Sequence, residues 1–306
     1  MKRHKYTLCG VIAIVLWSTV SALMRIVTES LGPVGGAALI YSLATMMVMM
    51  VTGLPRRCDL SLRYVVIGGA LFAGYEACMA LSLGLADSRH QAVEMMIINY
   101  LWPALTVLFA AQLSTKRVSL WLYPSVGIAF IGVVWSILGG QTFSLTALAN
   151  NIATNPLSFS LALIGAVLWA TYCVVTKQIG SGKSAVGLFF LFTAAGLWLQ
   201  YALSEQPPMS ITLPSIAWLV FTGIVMAAGY GLWNQALLGG NMMLLATLSY
   251  FTPIMAALFS ALLLGISLSS GFWQGVGLVT LGSLLCWWMT RTPEEDNANA
   301  LIEREA

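Results

Sequence analysis

Long apolar runs, a lopsided spread of charge and an internal repeat together predict an all-α polytopic membrane protein, with ten transmembrane helices in a 5+5 inverted repeat around a central midplane cavity. Of 306 residues, 59% are hydrophobic and 8% charged, against about 25% charged in a soluble domain. A helix rises about 1.5 Å per residue, so each run is long enough for the ~30 Å hydrocarbon core of a bilayer. A membrane barrel would instead alternate polarity over segments of about 10 residues. This chain has no such pattern.

The spans, in order, are 6–27, 33–54, 62–84, 91–113, 119–138, 158–178, 184–203, 215–237, 242–264 and 271–289. The first lacks a small-residue cleavage signature and reads as a span rather than a removable signal. The fourth and ninth carry Pro103 and Pro253 in mid-span. The fifth and tenth hold Gly127, Gly132, Gly271, Gly275, Gly277 and Gly282, which suits close helix packing. Connections are short, and the longest, 139–157, is polar and uncharged. The chain therefore divides into a first five-helix repeat (1–140), a polar linker on the outer side (141–157), a second, inverted repeat (158–290) and a disordered cytoplasmic tail (291–306).

With the N-terminus in the cytoplasm, Lys2, Arg3, Lys5, Arg56, Arg57, Arg63, Lys116, Arg117, Lys177, Lys183, Arg291 and Arg304 all fall inside, and only Arg25 and Arg89 outside. That bias sets both termini in the cytoplasm and requires an even number of spans. The basic clusters report topology, not nucleic-acid binding. Cys9, Cys58, Cys78, Cys173 and Cys286 show no paired spacing, so neither a disulfide framework nor a metal site is expected.

The repeat shows as matches at an offset of about half the chain. VLWST at 15–19 meets VLWAT at 167–171, pairing Trp17 with Trp169 and Arg25 with Lys177. AGY at 73–75 meets AGY at 228–230. Tyr100 and Pro103 meet Tyr250 and Pro253; Gly127 and Gly132 meet Gly277 and Gly282. Each match joins one span to the span five later. Five is odd, so the second copy enters the bilayer upside down, as in carriers that alternate between inward-open and outward-open states.

Ten spans as five plus five, VLWST in the first span, SLG…NYLWP across the third and fourth, and the proline-bearing ninth span resemble the drug/metabolite transporter superfamily of EamA-type proteins. The likeness covers residues 5–290 and is greatest to its bacterial aromatic amino-acid exporter branch, also associated with paraquat efflux. The resemblance implies an inner-membrane secondary transporter that moves amino acids out of the cytoplasm, with no cofactor and no obligatory protein partner.

Tyr and Trp usually sit at the membrane interfaces. Here Trp17, Tyr75, Tyr100, Trp102, Trp169, Tyr230 and Tyr250 fall in mid-span, with Glu76, Asn99, Asn234, Gln235 and Ser249 nearby. Their polar tips need partners or water, and a central cavity would supply them. Pro103 and Pro253 have no N–H for the carbonyls of Asn99 and Ser249. Each break is a hinge, and each freed carbonyl is an acceptor that should face the cavity. Glu76, a charge within a span, is the sharpest candidate, and its repeat counterpart is Gly231. Together these groups suit a zwitterion: Glu76 and the Asn99 carbonyl accept from an ammonium, while Asn234, Gln235, phenols and indoles donate to a carboxylate. Aromatic faces suit Phe, Tyr, Trp and flat dications alike. His90 and Glu94, at the start of the fourth span, read as a solvated cap.

Other readings fit less well. GSGKS at 180–184 imitates a phosphate-binding loop, but Lys177 stands where the motif needs glycine and no strand precedes it. An intramembrane enzyme would need a base or metal cluster, and the two histidines, His4 and His90, lie near span ends. A channel is a weaker reading than alternating access, given the half-chain repeat. A general drug/metabolite carrier of other cargo is the main alternative.

Overall fold

The computed structural model describes residues 2–52, 60–113, 120–139, 144–180, 185–206, 208–239 and 249–290. Among these every regular element is an α-helix: α1 (Lys2–Leu31), α2 (Pro33–Thr52), α3 (Leu62–Gly84), α4 (Arg89–Asn99), α5 (Trp102–Gln112), α6 (Leu122–Leu138), α7 (Leu145–Thr154), α8 (Pro156–Ile179), α9 (Val186–Leu203), α10 (Leu213–Gly239), α11 (Thr252–Leu264) and α12 (Ser270–Thr290). Among the described residues eight helical stretches are long and apolar enough to cross a membrane, and α6 and α11 are shorter apolar helices. The chain is a polytopic helical membrane protein. Its surface agrees: Leu62, Leu120 and Trp288 are mostly exposed, while Arg25, Glu76 and Asn99 are buried.

Local chemistry sets the helix ends. Ser61, Ser88 and Ser144 accept from the backbone N–H of Tyr64, Gln91 and Ala147 at 3.1–3.2 Å, capping α3, α4 and α7. Asn155 caps α8 in the same way at 3.2 Å, and Pro156 follows where its missing N–H costs nothing. Gly139 (φ 61°) and Gly265 (φ 64°) end α6 and α11 in the left-handed region that only glycine enters freely. Helix α7 occupies the stretch expected to be a plain polar linker. The tail 291–306, Cys58 and residues 181–184 of the loop-like GSGKS lie outside the described residues.

Four helix pairs carry the packing: α1 with α10, α3 with α8, α2 with α9, and α6 with α12. The last is a close glycine contact, as the glycine-rich fifth and tenth spans suit, though their sequence does not name the partner. A Cβ on Gly132 would stand 2.6 Å from the Val279 nitrogen, and one on Gly282 2.6 Å from the Ala129 nitrogen. Gly127 and Gly277, also read as suited to close packing, face open space.

At the end of the bundle where α4 begins, Arg25 of α1 is buried and donates to the carbonyls of Leu83 (2.8 Å), Gly84 (3.3 Å) and Ala86 (2.7 Å) as α3 runs out. Its Nε donates to Glu29 at 3.0 Å. Arg89 grips the same carboxylate with two nitrogens (3.0 and 2.7 Å) and donates to the Leu264 carbonyl at 2.7 Å. The sequence marks both arginines as topology signals, and Arg25 as the repeat counterpart of Lys177. Here they tie α1, α3, α4 and α11 together.

Candidate functional site

Pro103 and Pro253 each fall at the second position of a new helix, where no intrahelical N–H is needed. The fourth apolar run is therefore two helices, not one kinked helix. At the junction Tyr100 N–H reaches back to Met96 (3.2 Å) and Ile97 (3.1 Å), and Leu101 N–H to Ile98 (3.1 Å), before α5 begins. Asn99 and Tyr100 thus sit on a helix terminus inside the bundle, and both are buried.

They face a cavity of about 330 Å³, at the small end of the ~300–1,000 Å³ typical of small-molecule sites. Of the residues read from sequence, Trp17, Tyr75, Glu76, Asn99, Tyr100, Trp102, Trp169, Tyr230 and Ser249 line it. Its walls are aromatic and crossed: Trp17 meets Tyr230 edge-on with centroids 5.3 Å apart, and Trp169 lies tilted on Tyr75 at 4.5 Å. Among the described residues the lining holds one carboxylate and no lysine or arginine.

Glu76 is buried with both oxygens engaged. Tyr41 donates to Oε2 at 2.6 Å and Tyr230 to Oε1 at 3.0 Å. Two other groups are unengaged. Trp17 Nε1, a donor, and Asn99 Oδ1, an acceptor, are buried without a hydrogen-bond partner among the described residues, an arrangement that costs about 1–3 kcal/mol per group unless something fills it. The Asn99 amide nitrogen donates weakly to Tyr75 at 3.5 Å.

Three expectations change. Tyr250 does not line the cavity; it packs on Trp287 with centroids 6.0 Å apart. The Ser249 carbonyl, expected to be free, accepts from Thr252 Oγ1 at 2.5 Å, because a hydroxyl three residues on supplies the donor that Pro253 lacks. Glu94 is partly buried rather than solvated. The side chains of Asn234 and Gln235 lie outside the described residues. Sequence reading missed Tyr41 and Trp233. Tyr41 stood in mid-span like the others and carried the same signal; Trp233 lies one turn beyond Tyr230 and stacks on Trp17 at 5.1 Å.

The EamA-like transporter family matches residues 157–288. An aromatic amino acid exporter YddG from Salmonella typhimurium is 46% identical over 291 residues, covering 95% of this chain and 99% of the relative. This chain belongs to the EamA-like transporter family. The same-named exporters of Escherichia coli K12 and Ancylobacter novellus are 44% and 30% identical, covering 99% and 88% of their own lengths. A solved crystal structure at 24% identity superposes with a TM-score of 0.65 over 94% of this chain and 99% of its own, a likeness of fold. The family is one of transporters, and this member is not an enzyme.

Proposed function

We propose that this protein is a secondary transporter that exports amino acids, aromatic ones above all, across a bacterial inner membrane by alternating access. One observation carries the substrate: an unfilled donor, Trp17 Nε1, and an unfilled acceptor, Asn99 Oδ1, share an aromatic chamber with a single carboxylate. A zwitterion with an aromatic side chain matches all three. Its carboxylate takes the indole N–H, its ammonium the Asn99 oxygen and Glu76, and its ring the aromatic walls. Relatives named aromatic amino acid exporters support the choice. The lone carboxylate among ring faces also favours flat organic dications such as paraquat as secondary cargo.

Ten spans in two inverted halves are the architecture for this cycle. Exchanging each span for the one five later turns the α1–α10 contact into α8–α3 and leaves α2–α9 and α6–α12 in place. The same exchange turns the Trp17–Tyr230 contact into Trp169–Tyr75. The family match to 157–288 has the length of one half. Both observations support halves at 1–140 and 158–290 with 141–157 between them. Pro103 and Pro253 act as hinges, and Asn234 and Gln235 complete the carboxylate end of the site. Both termini and the tail from Arg291 lie in the cytoplasm, as the charge bias requires. An impermeant thiol reagent applied to intact cells should therefore leave Cys58 unlabelled.

Liposomes carrying the purified protein and loaded with labelled Phe, Tyr or Trp should release them. Absence of amino-acid release overturns the reading. Trp17→Phe keeps the ring and removes the N–H, so KM should rise about tenfold for tryptophan but little for tryptamine, which has no carboxylate. Equal losses for both would remove Trp17 from the carboxylate site.

A further inference from the structure

Away from the central cavity, a second pocket of about 260 Å³ opens where α4 starts, between the end of α6 and the α11–α12 connection. It shares no lining residue with the first. Glu94 is five residues before Asn99, so it lies about 7.5 Å further along α4 and about 140° around it. The two carboxylates, Glu76 and Glu94, thus serve different chambers.

Three of the pocket's side-chain donors are turned into the protein. Ser136 Oγ donates to the Phe272 carbonyl (3.3 Å) and Ser269 Oγ to the Gly139 carbonyl (3.0 Å), while Ser269 accepts from the Phe272 N–H (3.1 Å). His90 Nε2 meets the Ser267 carbonyl at 3.0 Å, and a carbonyl can only accept, so that nitrogen carries the proton. What remains for an occupant is dominated by acceptors, the Glu94 carboxylate and oxygen lone pairs of Ser136 and Ser267, with the Ser267 hydroxyl able to donate as well. Glu94 has no hydrogen bond or ion pair among the described residues, although it is partly buried. Arg25 and Arg89 are committed elsewhere, since both bind Glu29, and neither lines the pocket. A partly buried carboxylate without a cation is an incomplete pair.

We propose that this pocket is a second ligand site, one that takes the ammonium head of a primary amine. The ammonium brings three N–H donors and one positive charge, which the acceptor set and Glu94 lack. The volume is far beyond the ~10–15 Å³ that a single water needs, so there is room for carbon attached to the nitrogen. Phe272, Ile137 and Leu268 form the apolar wall beside Glu94. The class is therefore an alkyl or aryl amine rather than a bare inorganic cation. Bound there, it joins α4 to α6 and to the α11–α12 connection.

The site stands without the transport reading, and the test separates the two. Phenethylamine, which has the ammonium and ring but no carboxylate, is titrated calorimetrically into the purified full-length protein and its Glu94→Gln and Glu76→Gln variants. Glu94→Gln should lose a binding event that Glu76→Gln keeps, and Glu94→Asp should retain that event with affinity reduced about tenfold. Phenethylacetamide, uncharged, should not produce it. The proposal is overturned if Glu94→Gln titrates like the parent, or if equimolar sodium chloride abolishes the event, which would mark an inorganic-cation site. Should Glu94→Gln be unstable, Glu94→Asp decides: unchanged affinity there overturns the assignment. Failure of the transport reading shows separately, as liposomes that release no amino acid whatever the amine does.

Discussion

Two stretches of this chain share a sequence pattern and use it differently. Tyr100 and Pro103 stand in the first half as Tyr250 and Pro253 stand in the second, and both prolines begin a new helix. At the first break Asn99 and Tyr100 face the cavity, and the Asn99 side-chain oxygen has no partner among the described residues. At the second, Thr252 caps the Ser249 carbonyl and Tyr250 turns to Trp287. The backbone follows the prolines, because a missing N–H breaks a helix wherever it falls. The side chains follow local neighbours, which the pattern does not fix. A repeated sequence pattern can therefore serve a one-sided site, and Glu76, matched in the pattern by Gly231, makes it more one-sided still.

Removing that one-sidedness should have the largest effect. Glu76→Ala strips the acceptor from Tyr41 and Tyr230, leaving two hydroxyls to be resatisfied at about 1–3 kcal/mol each. Thermal unfolding in detergent should fall by several degrees, and amino-acid release should drop by more than tenfold. Unfolding unchanged from the parent would mean that the tyrosines do not depend on this carboxylate. A direct comparison of the breaks comes next: Tyr100→Ala should raise KM for aromatic amino acids about tenfold, whereas Tyr250→Ala should stay within about twofold, since only the first ring lines the cavity. Equal losses would return Tyr250 to the site. The smallest effect belongs to Thr252→Val, which keeps the shape and removes the cap. It should cost about 1 kcal/mol, read as a shift of a few degrees in unfolding.

Much of the frame was legible because its signals are local and strong. Apolar runs gave the helices, glycine-rich spans gave the close packing of α6 and α12 without naming their partner, and the prolines gave both breaks. Nine cavity residues were legible because an amphipathic ring in mid-span needs a reason to be there. Helix α7 was not, since its uncharged, polar sequence offers no long apolar run and its Ser144 cap is a weak signal among many serines. Glu29 was passed over because it falls just beyond the first apolar run, and its importance comes from Arg89, 60 residues away. Tyr250 was misplaced for the converse reason, because its twin in the pattern faces the cavity. Long-range partnership leaves no trace in spacing.

The arginine contacts at the start of α4 set an order in which that end of the bundle can come apart. The Arg89 side chain is 44% exposed and Glu29 27%, while Arg25 is 10% exposed. Dissolved salt screens the outer pair within a Debye length of about 8 Å at physiological ionic strength and reaches the buried arginine far less. The seam between α1 and the α4–α11 side therefore yields first, and because Arg89 holds Glu29 and Leu264 together, it yields both contacts in one step. The seam between α1 and α3, where Arg25 occupies three carbonyls at once, is the last to part.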